Sequence, residues 1–279
     1  MGIVGTLKAM QHLSARWRRA GKSIGFVPTM GALHRGHLSL IERAQRENER
    51  VVVSIFVNPL QFGPKEDFHR YPRPFARDSA LCRKAGVDTI YHPTVSAMYS
   101  DGASTRVEVS GLSGTLEGES RPGHFPGVAT VVLKLLSAVQ PGRAYFGEKD
   151  FQQLQVIRRM ARDLDLPVSV VGCPTVREAD GLALSSRNAY LSQSEREAAP
   201  LIARGLAAAA AAFRSGERSP AKARAAAMAV IKNIPGAKVD YGEIRDADTL
   251  LPARRLHKGQ RILAAVWVGR TRLIDNKEI

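Results

Sequence analysis

The sequence predicts a doubly wound α/β protein, a parallel sheet with helices between its strands, followed by a smaller α+β domain. Three observations predict it. Val51-Val-Val-Ser-Ile-Phe-Val57 is an almost unbroken apolar, β-branched run, the pattern of a central parallel strand covered on both faces. Strand-like and helix-like segments alternate from Ile24 to Gly172. Beyond Arg177 the alternation stops and the chain turns alanine-rich.

The elements follow in order. Ile24–Pro28 reads as a short buried strand. From His37 to Glu49, apolar residues at Leu38, Leu40, Ile41 and Ala44 mark one face of a helix. Val51–Val57 closes a βαβ unit, whose crossover should be right-handed. Pro74–Ala85 reads as a helix and Asp88–His92 as a strand. Gly127–Val139 and Asp150–Asp163 read as helices, with strands at Arg143–Phe146 and Val168–Gly172. Residues 194–233 are helical by propensity, broken at Ser215-Gly216 and at Pro220. Val239–Ile244, Arg261–Val268 and Thr271–Asp275 read as strands. The expected organisation is a Rossmann-like domain over 1–177 and a smaller α+β domain over 178–279 that closes over the site, with Arg177–Arg187 as the hinge or boundary. In such sheets ligands bind at the carboxyl ends of the strands, near the switch point.

Composition excludes several classes. At 279 residues the chain has ample core volume, and 44% hydrophobic and 24% charged residues are ordinary for a globular protein. No apolar run reaches membrane-spanning length, and Met1–Ala9 has no apolar stretch of secretory type. Cys82 and Cys173 are far apart and form no CxxC pattern, which points to a reducing, cytoplasmic setting. The net charge of +15 is spread as +9 over residues 1–177 and +6 over 178–279, without a basic block. That distribution argues against a nucleic-acid surface and fits an enzyme that attracts anionic substrates.

Five segments carry chemistry. Pro28-Thr-Met-Gly-Ala-Leu-His-Arg-Gly-His37 lies between a strand and a helix, where backbone N–H groups and the helix dipole favour phosphate. His34 and His37, three apart around Gly36, can face one ligand; metal binding is the competing use, but no nearby Cys or carboxylate completes a set. Asn58 and Gln61 are neutral amides at the end of the second strand, able to orient hydroxyls and a carboxylate or simply to form a turn. The glycine- and proline-rich loop Glu117–Gly127 holds Arg121 and His124 and borders a helix; it reads equally as a plain surface loop. In Tyr145–Gln153, Lys149 can neutralise a phosphate, while Asp150 caps the helix or holds a ribose hydroxyl. Ser185, Ser186 and Arg187 form either a phosphate clamp or a serine-rich linker.

The His34-x-Gly-His37 pair resembles the HIGH signature of the nucleotidylyl-transferase superfamily, and Leu184-Ser-Ser-Arg187 resembles its KMSKS-type loop. More closely, the chain resembles the pantothenate synthetase (pantoate–β-alanine ligase) family. The matching stretches are PTMGALHRGH, FVNPLQF, YPR at Tyr71–Arg73, LEGESRPGHFPGVATVVLKLL, YFGEKDFQQL and VREADGLALSSRNAYLS. They run in order from about residue 24 to residue 192, and one departure is Leu184 where the family usually has Met, a volume-conserving change.

The resemblance implies ATP-dependent condensation of pantoate with β-alanine through a pantoyl adenylate, releasing AMP and pyrophosphate. It implies Mg²⁺, a Rossmann-like fold, a homodimer, and neither nucleic acid nor membrane as partner. It assigns His34, His37, Lys149 and Arg187 to the phosphates as catalytic residues. ATP binding would draw on Pro28, Met30, His37, Gly147, Lys149, Asp150, Val176, Leu184, Ser185, Ser186 and Arg187. Pantoate would meet Met30, Asn58, Gln61, Gln153 and, at the entrance, Tyr71; Asp78 would contribute to Mg²⁺. The histidine signature is shared with nucleotidylyltransferases that act on phosphate acceptors, and the net charge would suit an RNA-binding module; these are the rival readings.

Overall fold

Six parallel strands and the helices between them make up the larger part of the computed structural model, which describes residues 1–64 and 66–279. Lys65, in the 62–75 loop, lies outside the described residues. By contacts the chain forms two units, Met1–Glu148 with Gln153–Pro174, and Lys149–Gln152 with Thr175–Ile279.

In the first unit the strands are β1 (Gly2–Val4), β2 (Ile24–Thr29), β3 (Arg50–Ile55), β4 (Thr89–Tyr91), β5 (Arg143–Gly147) and β6 (Ser169–Cys173). Their order across the sheet is β1-β4-β3-β2-β5-β6, every pairing parallel. The helices are α1 (Leu7–Arg19), α2 (Arg35–Glu47), α3 (Phe75–Lys84), α4 (Val95–Met98), α5 (Glu117–Ser120), α6 (His124–Val139) and α7 (Phe151–Asp163). The order runs outward from β2 to β4 and then resumes on the other side of β2 with β5. The switch point therefore lies at the carboxyl ends of β2 and β5, where an open α/β sheet leaves a crevice for ligand.

Sequence pattern accounts for most of this. Val51, Val52 and Val53 are all buried because β3 is covered on both faces. Leu40, Ile41 and Ala44 form the inward stripe of α2 and pack with Val27, Val53 and Ile90. Burying each of the larger of these side chains contributes about 1.5–3 kcal/mol. Helix α6 is apolar nearly all round, and Gly127 explains how it approaches its neighbours. A Cβ there would lie 2.5 Å from the Leu60 carbonyl carbon and 2.8 Å from the Gln61 nitrogen.

β1 and α1, like the one-turn helices α4 and α5, go beyond the sequence expectation. β1 is a three-residue edge strand with Gly2 and Ile3 exposed, and α1 buries only Met10 and Ser14. β1 is too short to carry an apolar period, whereas Met10, Leu13 and Trp17 of α1 recur at helical spacing. α1 is held further by Thr6, which caps it, and by Gln11, whose Nε2 donates to the Ser137 carbonyl of α6 (3.1 Å).

The second unit carries α8 (Gln193–Ala198), α9 (Leu201–Arg214), α10 (Pro220–Ile231) and an antiparallel sheet β7 (Lys238–Arg245), β8 (Arg261–Val268), β9 (Thr271–Glu278). The predicted break falls where expected: α9 ends at Arg214, Gly216 takes φ +97°, and Pro220 opens α10. The alanine bias has a packing reason. A Cβ on Gly205 would lie 2.7 Å from the Ala227 carbonyl, so only small residues let the two helices come this close. Among the described residues, no helix is long and apolar enough to cross a membrane.

Candidate active site

The turn after β2 is built from backbone donors and two imidazoles. Thr29 Oγ1 donates to the Ser54 carbonyl (2.7 Å) and accepts from the Gly31 N–H (3.1 Å). Gly31 and Ala32 then take positive φ, +87° and +50°. Position 31 needs glycine for a second reason: a Cβ there would lie 3.0 Å from Asp78 Oδ2 and 3.1 Å from Ile55 Cγ2. Asp78 is 1% exposed, and its two oxygens accept from the Ala32 N–H (2.7 Å) and the Leu33 N–H (2.8 Å). Asp78, expected to contribute to Mg²⁺, here faces inward and braces the turn.

The histidines sit where that turn enters α2. His34 is the N-cap, and its Nδ1 accepts from the Gly36 N–H (3.1 Å). His37 Nδ1 accepts from the His34 N–H (3.2 Å), a reciprocal capping box made with ring nitrogens instead of oxygens. A nitrogen that accepts a hydrogen bond carries no proton, so each neutral ring keeps its proton on Nε2. The rings lie 4.1 Å apart, centroid to centroid, tilted by 41°. Two Nε2 donors at the positive end of a thirteen-residue helix suit phosphate oxygens.

Behind β3, the turn Pro59–Gln61 carries the amides. Asn58 is 1% exposed, and all four of its hydrogen-bonding positions are used inside the protein. Its Nδ2 donates to Gln61 Oε1 (3.1 Å) and to the Gly127 carbonyl (3.1 Å). Its Oδ1 accepts from the Leu60 N–H (3.2 Å) and the Tyr99 hydroxyl (2.7 Å). Asn58, expected to meet pantoate, turns these hydrogen-bonding positions to the protein in this structure. Gln61 Nε2 donates to Met30 Sδ (3.0 Å), which brings those two predicted residues together.

The loop read as functional or plain surface is exposed at Glu119, Ser120, Pro122 and Gly123 but turns Arg121 and His124 inward. His124 is buried, its Nδ1 donates to the Gln61 carbonyl (2.8 Å), and Arg121 Nη1 donates to its Nε2 (3.2 Å). Burial, aided by the Arg121 charge, pushes the His124 pKa down to about 4, so the ring is neutral. Arg121 forks onto Glu66 (2.8 and 2.6 Å). Burial works to raise the Glu66 pKa, but the Arg121 hydrogen bond and charge hold it below the usual carboxylate range. Tyr99 was missed by sequence reading, and no local signal marks it. Tyr71, expected at an entrance, is 6% exposed, with its ring 6.0 Å edge-on from Phe62. Pro28 lies half-buried in β2, Gly147 ends β5, and Gln153 stands half-buried on the first turn of α7.

In the second unit, Lys149 Nζ lies 3.8 Å from Asp150 Oδ1, with the Lys149 side chain 18% and the Asp150 side chain 47% exposed. The Lys149 carbonyl is held by Asn276 Nδ2 (3.0 Å). Val176 and Leu184 face each other across a backbone hydrogen bond (3.0 Å). Ser185 caps the short helix Ser186–Tyr190, its Oγ accepting from the Arg187 N–H (3.3 Å) and keeping its own proton to donate. Arg177 forks onto Asp275 (2.7 and 2.9 Å) and so anchors this hairpin to β9.

Among the described residues, no cluster of three His, Cys, Asp or Glu side chains could hold a metal ion.

A Rossmann-like sheet with a histidine-bearing helix start at its switch point defines a nucleotide-using α/β enzyme. The sequence pattern of the family described as Pantoate-beta-alanine ligase matches residues 2–278. The pantothenate synthetase of Thermotoga neapolitana is 51% identical over 276 residues, covering 99% of each chain. That of Sulfurihydrogenibium sp. is 52% identical over 279 residues and the full length of both. The crystal structure of pantothenate synthetase from Thermus thermophilus superposes with a TM-score of 0.95 at 52% identity, covering 100% of this chain and 99% of that one. The Francisella tularensis pantoate–β-alanine ligase, complexed with β-γ ATP and β-alanine, gives 0.81 at 36% identity, covering 100% and 97%. The chain belongs to the pantoate–β-alanine ligase family. Its activity is the ATP-dependent formation of pantothenate from pantoate and β-alanine.

Proposed function

We propose that pantothenate forms here in two half-reactions with a pantoyl adenylate between them. An ionised carboxylate resists attack by an amine because its leaving group would be oxide. In the first step a pantoate carboxylate oxygen attacks the α-phosphorus of ATP, the bond to the β-phosphate oxygen breaks, and pyrophosphate leaves. In the second, the neutral amine of β-alanine attacks the acyl carbon, the amine proton is released, and AMP departs with the C–O bond electrons. Catalysis of this kind rests on positioning and charge stabilisation.

The observation that carries the reading is the pair of Nδ1 acceptors at His34 and His37, which turns both rings into Nε2 donors at a helix N-terminus. In this assignment they hold ATP phosphates, with the cationic Lys149 and Arg187 and the hydroxyls of Ser185 and Ser186 acting on the same charge. Asp150 and the backbone near Gly147 take the ribose, and Pro28, Val176 and Leu184 line the nucleotide. Met30, Gln61 and Gln153 receive pantoate; Tyr71 supports them from within. Mg²⁺ would arrive on the ATP phosphates, and no step is routed through it. The 178–279 domain serving as a cover, a homodimer and a cytoplasmic setting belong to the same reading; two buried free thiols agree with a reducing compartment.

The test is exchange of labelled pyrophosphate into ATP. It should require pantoate and proceed without β-alanine. Exchange that needs β-alanine would remove the separate adenylate.

A further inference from the structure

Two backbone groups in the first unit decide the polarity of two side-chain amides. The Leu60 N–H can only donate and the Gly127 carbonyl can only accept. Since both bond Asn58, the atom facing Leu60 is its oxygen and the atom facing Gly127 its nitrogen. The Tyr99 hydroxyl, 2.7 Å from that same oxygen, must then donate. Burial pushes the Tyr99 phenol well above its usual range, so its proton stays in place. The atom of Gln61 that Asn58 Nδ2 meets must accept, which makes it Oε1 and leaves Nε2 as the outer end of the Gln61 amide.

We propose that Tyr99 and Asn58 are positioning residues for acid recognition: they lock the Gln61 amide so that it presents N–H donors, never an acceptor, to the substrate. The selected acid must then place an oxygen lone pair, from hydroxyl or carboxylate, at that point. The present acceptor of Gln61 Nε2 is the Met30 thioether at 3.0 Å. Sulfur is a weak acceptor, so a substrate oxygen replaces it at a gain. The main chain of Gln61 is pinned as well, by His124 at 2.8 Å and Arg121 at 3.4 Å on its carbonyl. The amide is thus held at both ends before substrate arrives, which lowers the ordering cost of binding.

This inference rests on the reading that Gln61 binds pantoate, and a double-mutant cycle separates the two. Tyr99→Phe removes one donor to Asn58 and loosens the amide pair, which Leu60 and Gly127 still hold. In the otherwise unchanged enzyme it should raise KM for pantoate roughly two- to tenfold, the worth of one hydrogen bond, with KM for ATP and kcat little changed. In a Gln61→Ala background the same substitution should have no further effect on pantoate KM. An equal effect in both backgrounds, or none in the first, overturns the proposal. A Gln61→Ala enzyme with normal pantoate KM instead overturns the reading beneath it. Gln61→Glu, which keeps the shape but replaces the donor by an acceptor, should bind pantoate worse than Gln61→Ala; equal or better binding also overturns the proposal.

Discussion

The histidine turn after β2 and the amide shelf after β3 leave neighbouring strands of one sheet, yet they are organised differently. In the turn, the bonds that orient His34 and His37 span two and three residues. In the shelf, the bonds from Asn58 to Leu60 and Gln61 are local, but Tyr99, His124 and Gly127, which hold the pair from outside, lie between 41 and 69 residues away. A chemistry set by near neighbours survives wherever the helix start survives. A chemistry set by distant partners depends on how α6 and the segment around Tyr99 pack. The turn is not wholly local: Asp78, 46 residues from Ala32, braces its base.

The sharpest test of this contrast is His37→Ala. Removal of a phosphate donor should lower kcat about 100- to 1,000-fold, while loss of one cap costs only about 1 kcal/mol of stability. Steady-state kinetics and thermal melting check the split; a large fall in melting temperature with modest loss of rate would mean the ring serves structure first.

Asp78→Asn comes next. It sets an amide N–H₂ against a backbone N–H at Ala32 or Leu33, so a buried donor loses its acceptor at a cost of roughly 2 kcal/mol. Denaturant midpoints should fall, and activity should fall with them because the turn loosens. Unchanged stability would show that the turn holds itself and the contrast with the shelf is complete.

The pH dependence of stability is the finest probe of the shelf. The folded His124 pKa lies at about 4, below the ordinary value of 6.5. The folded state therefore refuses a proton that the unfolded chain accepts. Stability from this group is full above pH 6.5 and declines as pH falls from 6.5 towards 4, by up to roughly 3 kcal/mol. Urea midpoints at pH 7 and pH 5 should differ, and His124→Gln should flatten the difference. A decline of equal size in that variant would assign it elsewhere.

Much of the molecule was legible before folding. The run at Val51–Val53 marks a doubly covered strand by composition alone, and Leu40, Ile41 and Ala44 mark the inner face of α2 by period. Gly216 and Pro220 mark the break between α9 and α10 because glycine takes the positive φ of the turn without steric cost and proline opens a helix more readily than it continues one. The edge strand β1 was not legible, since three residues with two exposed carry no period.

By itself, the sequence determined the fold class, the family, and the placing of His34 and His37 at a strand–helix turn. All of these are written in periodicity, motif order and interactions within a few residues. Only the tertiary structure decided what several of the named side chains are for. Asp78 faces inward to two backbone N–H groups, Asn58 spends its whole capacity on Leu60, Gln61, Tyr99 and Gly127, and His124 is a neutral donor to the Gln61 carbonyl. A buried polar group takes its role from whichever donor or acceptor packing brings to it, and apart from Leu60 and Gln61 beside Asn58 those partners lie tens of residues away along the chain.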